Sequence, residues 1–382
     1  MTTRIINATA ITPGLRIDGA TIVTDDSEIA EVLPPGTPMP EVEETYDAKG
    51  ALVVPGFFDI HSHGAVGFEI TDDDPEAVTA VCKAKLEEGV TSYFPTTLTL
   101  SHEALVKTME RVAAYCEEEK YCRAPGVHLE GPFINPSALG AQNPAFVRKP
   151  DIDEVLALAA IAPVSEMTFA AEMDEAGDFA QKLLENGIVP SCGHSKATYA
   201  QFRKAYEHGL RHLTHFCNQM SPLHHRDIGL VGAGLLIDDV RTELICDKVH
   251  VSVPMIQLVF ERKPIESILL ITDSMRASHL PDGPSSIGGL DVIVKNGEAR
   301  LAKDGALAGS MLRMNQALRN VVEVTGLPVE EVVQTTSWNQ AEELGLGDRF
   351  GRIEPGYAAD LVMLDPETFD VKAVFVGGEK GI

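Results

Sequence analysis

Two histidines one residue apart, His61 and His63, close the apolar run Pro55-Gly56-Phe57-Phe58-Asp59-Ile60. In an extended strand, residues i and i+2 project from the same face roughly 7 Å apart, a spacing at which two imidazoles can grip one cation. The pair therefore points to a metal at a strand end, while a plain strand cap bonded to a loop would produce the same pattern. Other ligand-type residues decide between the two. Glu130, His194, His215 and Asp273 each end a further apolar segment, so six potential ligands gather on five segment ends. Imidazole and carboxylate suit Zn2+, with Fe2+ as the second choice, and one carboxylate reaching two ions would bridge a binuclear centre.

The elements that must position these residues are short apolar segments alternating with helix-period stretches. Eight segments can be counted, at 54–63, 91–98, 126–131, 167–173, 188–194, 211–218, 242–250 and 267–273. Eight such units are what a (β/α)8 barrel requires, and that fold builds its active sites at the C-terminal ends of its strands. Between segments, Asp151 is placed as an N-cap ahead of Ile152, Val155, Leu156 and Ala159, one helix face. Both termini are rich in strand-turn-strand patterns. The expected organisation is a small β-sandwich domain from residues 1–53 and 346–382, and a TIM-like barrel from 54–345 carrying a hairpin insertion near 286–303 that turns at Asn296-Gly297.

Composition removes several function classes. Lys+Arg of 31 against Asp+Glu of 57 leaves a net charge of −26, which repels nucleic acid and anionic membranes. No apolar run approaches the roughly 20 residues of a membrane helix, and the N-terminus lacks a long apolar signal region, so a cytoplasmic location is expected. The six cysteines are dispersed without a C-x-x-C pair, as in a chain whose thiols stay reduced. With 44% hydrophobic residues a large core is available.

Hydrolysis by a metal-activated water is the chemistry these groups could do, and an amide, the bond that the resemblance given next implies, sets its demands. Amides need a stronger nucleophile than water, a polarised carbonyl and a protonated leaving nitrogen. A divalent metal supplies the first two, and Asp273, beside it, would take the water's proton and return it to the amine. The motifs Pro55-Gly56-Phe57-Phe58-Asp59-Ile60-His61-Ser62-His63-Gly64, His128-Leu129-Glu130-Gly131-Pro132-Phe133, Gly193-His194-Ser195, Thr214-His215-Phe216-Cys217-Asn218-Gln219-Met220, Thr272-Asp273 and Leu307-Ala308-Gly309-Ser310 occur in this order. In that order they resemble the amidohydrolase superfamily, and within it the N-acetylglucosamine-6-phosphate deacetylases, over essentially the whole chain. The resemblance implies a metal held by Glu130, His194 and His215 and a phosphorylated N-acetyl amino sugar as substrate. It implies a homodimer in which Arg226, from the cationic triplet His224-His225-Arg226, reaches the neighbouring subunit's site. It also implies that His250 contacts sugar or phosphate, and that Asn218, Gln219, Ala141 and Leu307, with backbone from Ala308 and Gly309, complete the pocket.

Two departures from the family pattern matter. Gln142 stands where some members have a histidine that polarises the carbonyl, and an amide has no proton to lend. Other members lack the His61/His63 pair and use one metal. The expectation is that these departures belong together, with a second ion replacing the missing imidazole. A galactosamine-6-phosphate deacetylase is the competing reading, because one hydroxyl's stereochemistry leaves no legible trace in a single sequence. A cyclic-amide hydrolase of the dihydroorotase kind would use a bridging lysine at the end of the fourth segment, where Ala170-Ala171-Glu172-Met173 has none. A non-catalytic scaffold would be expected to have lost ligands.

Overall fold

In the middle of the chain, runs of apolar residues buried on both faces give strands, and the helix-period sequences between them give helices that cover the outside. The computed structural model describes residues 2–382. The barrel strands are β1 (Phe57–Ser62), β2 (Val90–Pro95), β3 (Val127–Glu130), β4 (Val164–Phe169), β5 (Val189–Cys192), β6 (His212–Leu213), β7 (Arg241–Ile245) and β8 (Ile268–Ile271). Each is followed by a helix: α1 (Ala77–Glu87), α2 (His102–Glu117), α3 (Ile152–Ala159), α4 (Phe179–Glu185), α5 (Tyr199–Glu207), α6 (Gly229–Leu236), α7 (Val253–Arg262) and α8 (Met314–Thr325). Asp151 caps α3, its carboxylate accepting from the Asp153 and Glu154 N–H groups, and the buried face centres on Val155 and Leu158.

Strands β3 to β8 form one parallel sheet in chain order, and β1 pairs with β2. Backbone bonds close the two seams. The Thr97 N–H donates to the His128 carbonyl at 3.0 Å, and the Asp273 N–H donates to the His61 carbonyl at 2.8 Å. The ring is thereby complete, and the barrel leaves no edge strand unpaired.

Three strand expectations are corrected. The segment at 54–63 is two strands: Leu52–Pro55 pairs with Leu361–Leu364 and Thr2–Thr12 in the terminal sheet, and β1 starts at Phe57. The handover falls on Gly56, where a Cβ would lie 2.1 Å from Thr91 Oγ1, so only a residue without a side chain lets the sheets meet there. The fourth strand ends at Phe169 rather than 173, because Ala171–Met173 curls into a 3-10 turn. The sixth strand keeps only His212–Leu213, and the chain leaves the sheet before His215.

The terminal sheet has eight strands, running Glu379–Lys380, Val371–Val376, Leu361–Leu364, Leu52–Pro55, Thr2–Thr12, Leu15–Asp25, Glu28–Leu33, with Glu44–Asp47 also on Thr2–Thr12. The Ile29 N–H donates to the Tyr357 carbonyl at 2.8 Å, drawing one end of the sheet back to the segment before Leu361–Leu364. The curled sheet encloses its own apolar cluster, including Ile5, Ile22, Val53, Leu361 and Phe375. After β8 a three-stranded insertion (Gly283–Ile287, Leu290–Lys295, Glu298–Leu301) turns at Asn296 and Gly297, whose φ of 54° and 75° are the positive pair a two-residue type I′ turn needs. Its alternation buries Val292 and Val294 against Leu98, Met275 and Ala308, which presses the insertion onto the barrel mouth. Among the described residues no helix is long and apolar enough to cross a membrane.

Candidate active site

The six ligand-type residues sit on one rim. His61 lies in β1 and His63 just beyond it, Glu130 is the last residue of β3, and His194, His215 and Asp273 each follow their strand by two residues. Those last three have φ of 46°, 31° and 47°. Left-handed backbone costs an L-residue with a Cβ about 1–2 kcal/mol, and strain of this kind concentrates where a site must be built. It coincides here with the point where the chain leaves the strand and its side chain faces the barrel axis.

Glu130 is the hub. Its Oε1 is 3.0 Å from His194 Nε2, 3.0 Å from His215 Nε2 and 3.5 Å from His61 Nε2, while its Oε2 is 3.4 Å from His63 Nε2. The His194 and His215 Nε2 atoms are 3.0 Å apart. Asp273 Oδ1 joins at 3.3 Å from His63 Nε2 and 3.8 Å from His61 Nε2. All six residues are buried.

The tautomers indicate what belongs between them. His194 Nδ1 is 2.7 Å from the Ala138 carbonyl, His63 Nδ1 is 3.2 Å from the Thr96 carbonyl, and His61 Nδ1 is 2.8 Å from Glu243 Oε2. A carbonyl or carboxylate only accepts, so each of these imidazoles carries a proton on Nδ1 and turns Nε2, the nitrogen left to take a metal or a second proton, toward Glu130. Nε2 atoms packed this closely around carboxylate oxygens need positive charge among them, a metal ion or protons on the rings. Four trios have their ligand atoms within 4.8 Å of one another; two of them, Glu130–His194–His215 and Glu130–His61–His63, contain Glu130, and both fit a divalent metal, while the other two, His61–His128–Glu243 and Glu166–His212–Glu243, lie around Glu243. Protons compete for the same lone pairs. Burial opposes charging His61, but Glu243, Glu130 and Asp273 overcome it and raise its pKa to about 10.

Gln142 is spoken for at both ends. Its Nε2 donates to Glu130 Oε2, and its Oε1 accepts from the Thr99 N–H at 2.7 Å. It therefore braces the carboxylate on the oxygen that faces His63. Beneath the rim, His128 is held neutral: burial and the neighbouring His61 push its pKa down to about 3, while its ring spans the Ile60 carbonyl and Thr168 Oγ1.

Above the ligands opens a cavity of about 370 Å³. Gln142, Ala141, Asn218, Gln219, His250, Leu307 and Gly309 all line it. Ala308, from which only backbone was expected, and Arg226, expected at the neighbouring subunit's site, are not among the lining residues. Ala308 points into the insertion's apolar cluster, because neighbours along an extended segment alternate faces. Arg226 is exposed on a loop, with Nη1 3.0 Å from His225 Nε2, outside its own chain's cavity. The arginine lining that cavity is Arg300 of the insertion, held by Glu298 at 2.7 Å and the Gly305 carbonyl at 2.9 Å. Nothing in the pattern around Arg300 marks it. Glu243 could have been found: a lone acid inside the apolar strand Thr242-Glu243-Leu244-Ile245 must be buried and paired.

The amidohydrolase family model matches residues 52–381. The chain is 36% identical to the N-acetylglucosamine-6-phosphate deacetylase of Bacillus subtilis, over 90% of this chain and 88% of that one. It is 34% identical to the N-acetylgalactosamine-6-phosphate deacetylase of Escherichia coli O157:H7, over 90% of each. Among solved structures, the N-acetylglucosamine-6-phosphate deacetylase of Thermotoga maritima superposes with a TM-score of 0.89 at 36% identity, covering 99% of both chains. A mutant of the Mycobacterium smegmatis enzyme in complex with N-acetyl-D-glucosamine-6-phosphate superposes at 0.92 with 29% identity, covering 100% of this chain and 99% of that one. On fold, rim and kinship together, the chain belongs to the amidohydrolase family and, within it, to the N-acetylglucosamine-6-phosphate deacetylases.

Proposed function

We propose that this protein hydrolyses the acetamide of N-acetylglucosamine 6-phosphate to glucosamine 6-phosphate and acetate. The observation that carries the reading is the convergence of four imidazole Nε2 atoms on Glu130 with Asp273 Oδ1 3.3 Å from His63 Nε2, at the floor of a sugar-sized cavity. Glu130, His194 and His215 hold one divalent cation, Zn2+ ahead of Fe2+, and His61 and His63 with Glu130 hold a second. The chemistry such a cation supplies is acidification of water to a pKa of roughly 7 and polarisation of a carbonyl oxygen.

Asp273 does the proton work. Burial alone would raise its carboxyl, but His63, His61 and His215 lower it, so it stands ionised as a base. It accepts a proton from the attacking water as the carbon–oxygen bond forms. It delivers that proton to nitrogen as the carbon–nitrogen bond breaks, releasing acetate and the amine. Gln142 holds the Glu130 carboxylate in place. His250, whose imidazole is bonded to Asp247 Oδ2 at 2.6 Å, receives the sugar phosphate, and Arg226 of a homodimer's second subunit meets it from across the interface. The six free thiols suit a cytoplasmic enzyme.

The test is acetate release from N-acetylglucosamine 6-phosphate, its galacto epimer, the unphosphorylated sugar and dihydroorotate. The gluco phosphate is expected to give the highest kcat/KM, and Asp273→Asn to lower kcat by about 10²–10⁴-fold. A preference for the galacto epimer, supported by the similar relative from E. coli, would reassign the substrate. Equal rates with and without phosphate would remove the roles given to Arg226 and His250.

A further inference from the structure

Behind each imidazole of the rim stands something different. The carbonyls of Ala138 and Thr96 back His194 and His63, whereas His215 Nδ1 is buried without a hydrogen-bond partner. His61 alone of the four is backed by an anion, Glu243, at 2.8 Å. The same Glu243 oxygen also accepts the His215 backbone N–H at 2.9 Å. Its other oxygen lies 3.3 Å from His212 Nε2, and His212 Nδ1 is 3.3 Å from Glu343, which pairs with Arg241. His61, His212 and Glu243 are completely buried. A line of charged groups thus runs inward from Arg241 to the imidazole of one trio, and it meets the other trio only at the His215 backbone N–H.

We propose that Glu243 is a positioning residue that sets the affinity of the Glu130–His61–His63 trio for its cation, leaving the Glu130–His194–His215 trio to its own ligands. The proposal rests on the two-ion reading of the rim. A carboxylate hydrogen-bonded to Nδ1 fixes the proton of the neutral ring there and makes Nε2 a stronger donor to a metal than a carbonyl does, because the negative charge stabilises the positive charge the ring acquires on ligation. The two trios, near-equal in their first ligands, become unequal through what lies behind them.

Glu243→Gln separates charge from structure. The amide oxygen can keep the bonds from His61 and the His215 N–H, so both hydrogen bonds to this side chain are retained and its charge goes. Purified holoenzyme is titrated with a zinc chelator, and zinc per subunit is followed by elemental analysis. Wild type is expected to hold two ions. In the variant one ion is expected to bind about 10–100-fold more weakly with the other unchanged. In a His61→Asn background the Gln substitution should then have no further effect on zinc affinity. Glu243→Asp, which keeps the charge but withdraws it by one methylene from His61, is the second variant should the first not fold, and the same selective weakening is expected. Equal weakening of both ions, unchanged affinity in a folded variant, or a single ion in wild type overturns the proposal. Absence of acetate release by wild type would instead remove the activity and leave the zinc titration standing.

Discussion

The two trios that could each hold a metal ion share one carboxylate and are built in opposite ways. His61 and His63 come from a single strand, two residues apart, on ordinary extended backbone, and stand 3.5 and 3.4 Å from Glu130. His194 and His215 come from two different strands, each just past its strand in left-handed backbone, and close on Glu130 at 3.0 Å. Strand periodicity alone supplies the first pair. The second pair exists only because a closed barrel brings β3, β5 and β6 to a common rim and the rest of the fold holds the strained backbone. Local geometry thus builds the looser trio, and tertiary closure the tighter one.

Removing what they share gives the largest expected effect. Glu130→Gln should empty both trios and lower kcat/KM by at least about 10⁴-fold, since water activation and carbonyl polarisation are lost together. Elemental analysis would show no tightly held metal, and an ion retained at full affinity would mean that Glu130 does not bridge.

Splitting the trios is the sharper experiment. His194→Asn is expected to cost about 10³-fold in kcat and to release the tighter ion. His61→Asn should lower the count from two ions to one with a smaller loss, on the order of 10-fold. Identical losses from the two substitutions would make the trios functionally equivalent and dissolve the contrast. A softer version acts through Gln142. Gln142→Ala removes a hydrogen bond to a charged group, on the order of 1.5–3 kcal/mol, from the oxygen facing His63. Its effect should fall mainly on the His61/His63 ion in a chelator titration. If catalysis drops while both affinities stay as they were, Gln142 works on the substrate instead of the carboxylate.

The smallest expected effect lies outside both trios, at His250. Burial lowers its pKa, but the Asp247 carboxylate more than compensates and raises it above the ordinary 6.5. Its contribution to stability is therefore complete below that value and lost as pH rises through the folded-state pKa. Its attraction for a phosphate follows the same course. A few-fold rise in KM for the phosphorylated sugar is expected on the alkaline side, with the unphosphorylated sugar indifferent. Parallel KM curves for the two would place the titrating group elsewhere.

Much of this was legible in the chain, for definite reasons. Buried strands read as apolar runs because both faces are covered, so eight of them could be counted even where the ends were misjudged. Histidine and acid at the ends of such runs are visible because the surrounding residues are not polar. Strand ends were harder. At β4 and β6 the apolar pattern continues into a 3-10 turn and a left-handed bend, and hydrophobicity does not distinguish these from extended backbone. At Gly56 two sheets abut, and only the 2.1 Å approach to Thr91 explains the break. Arg226 stood out by its basic neighbours, yet the arginine at this chain's own cavity is Arg300, delivered there by the fold of an insertion. Ala308 was counted with Gly309 for its backbone, and only the fold shows that its side chain packs into the insertion's apolar cluster.

By itself the amino-acid sequence determined the barrel, the β-rich termini, the kinship and the six ligand-type residues, because these depend on residue type, strand period and order along the chain. The tertiary structure decided which oxygen of Glu130 faces which imidazole, which imidazole is backed by an anion, and where Gln142 spends its two hydrogen bonds. These are contacts between residues tens to hundreds of positions apart, such as His61 and Glu243. They are set to a few tenths of an ångström by packing and backbone strain, which no local pattern encodes.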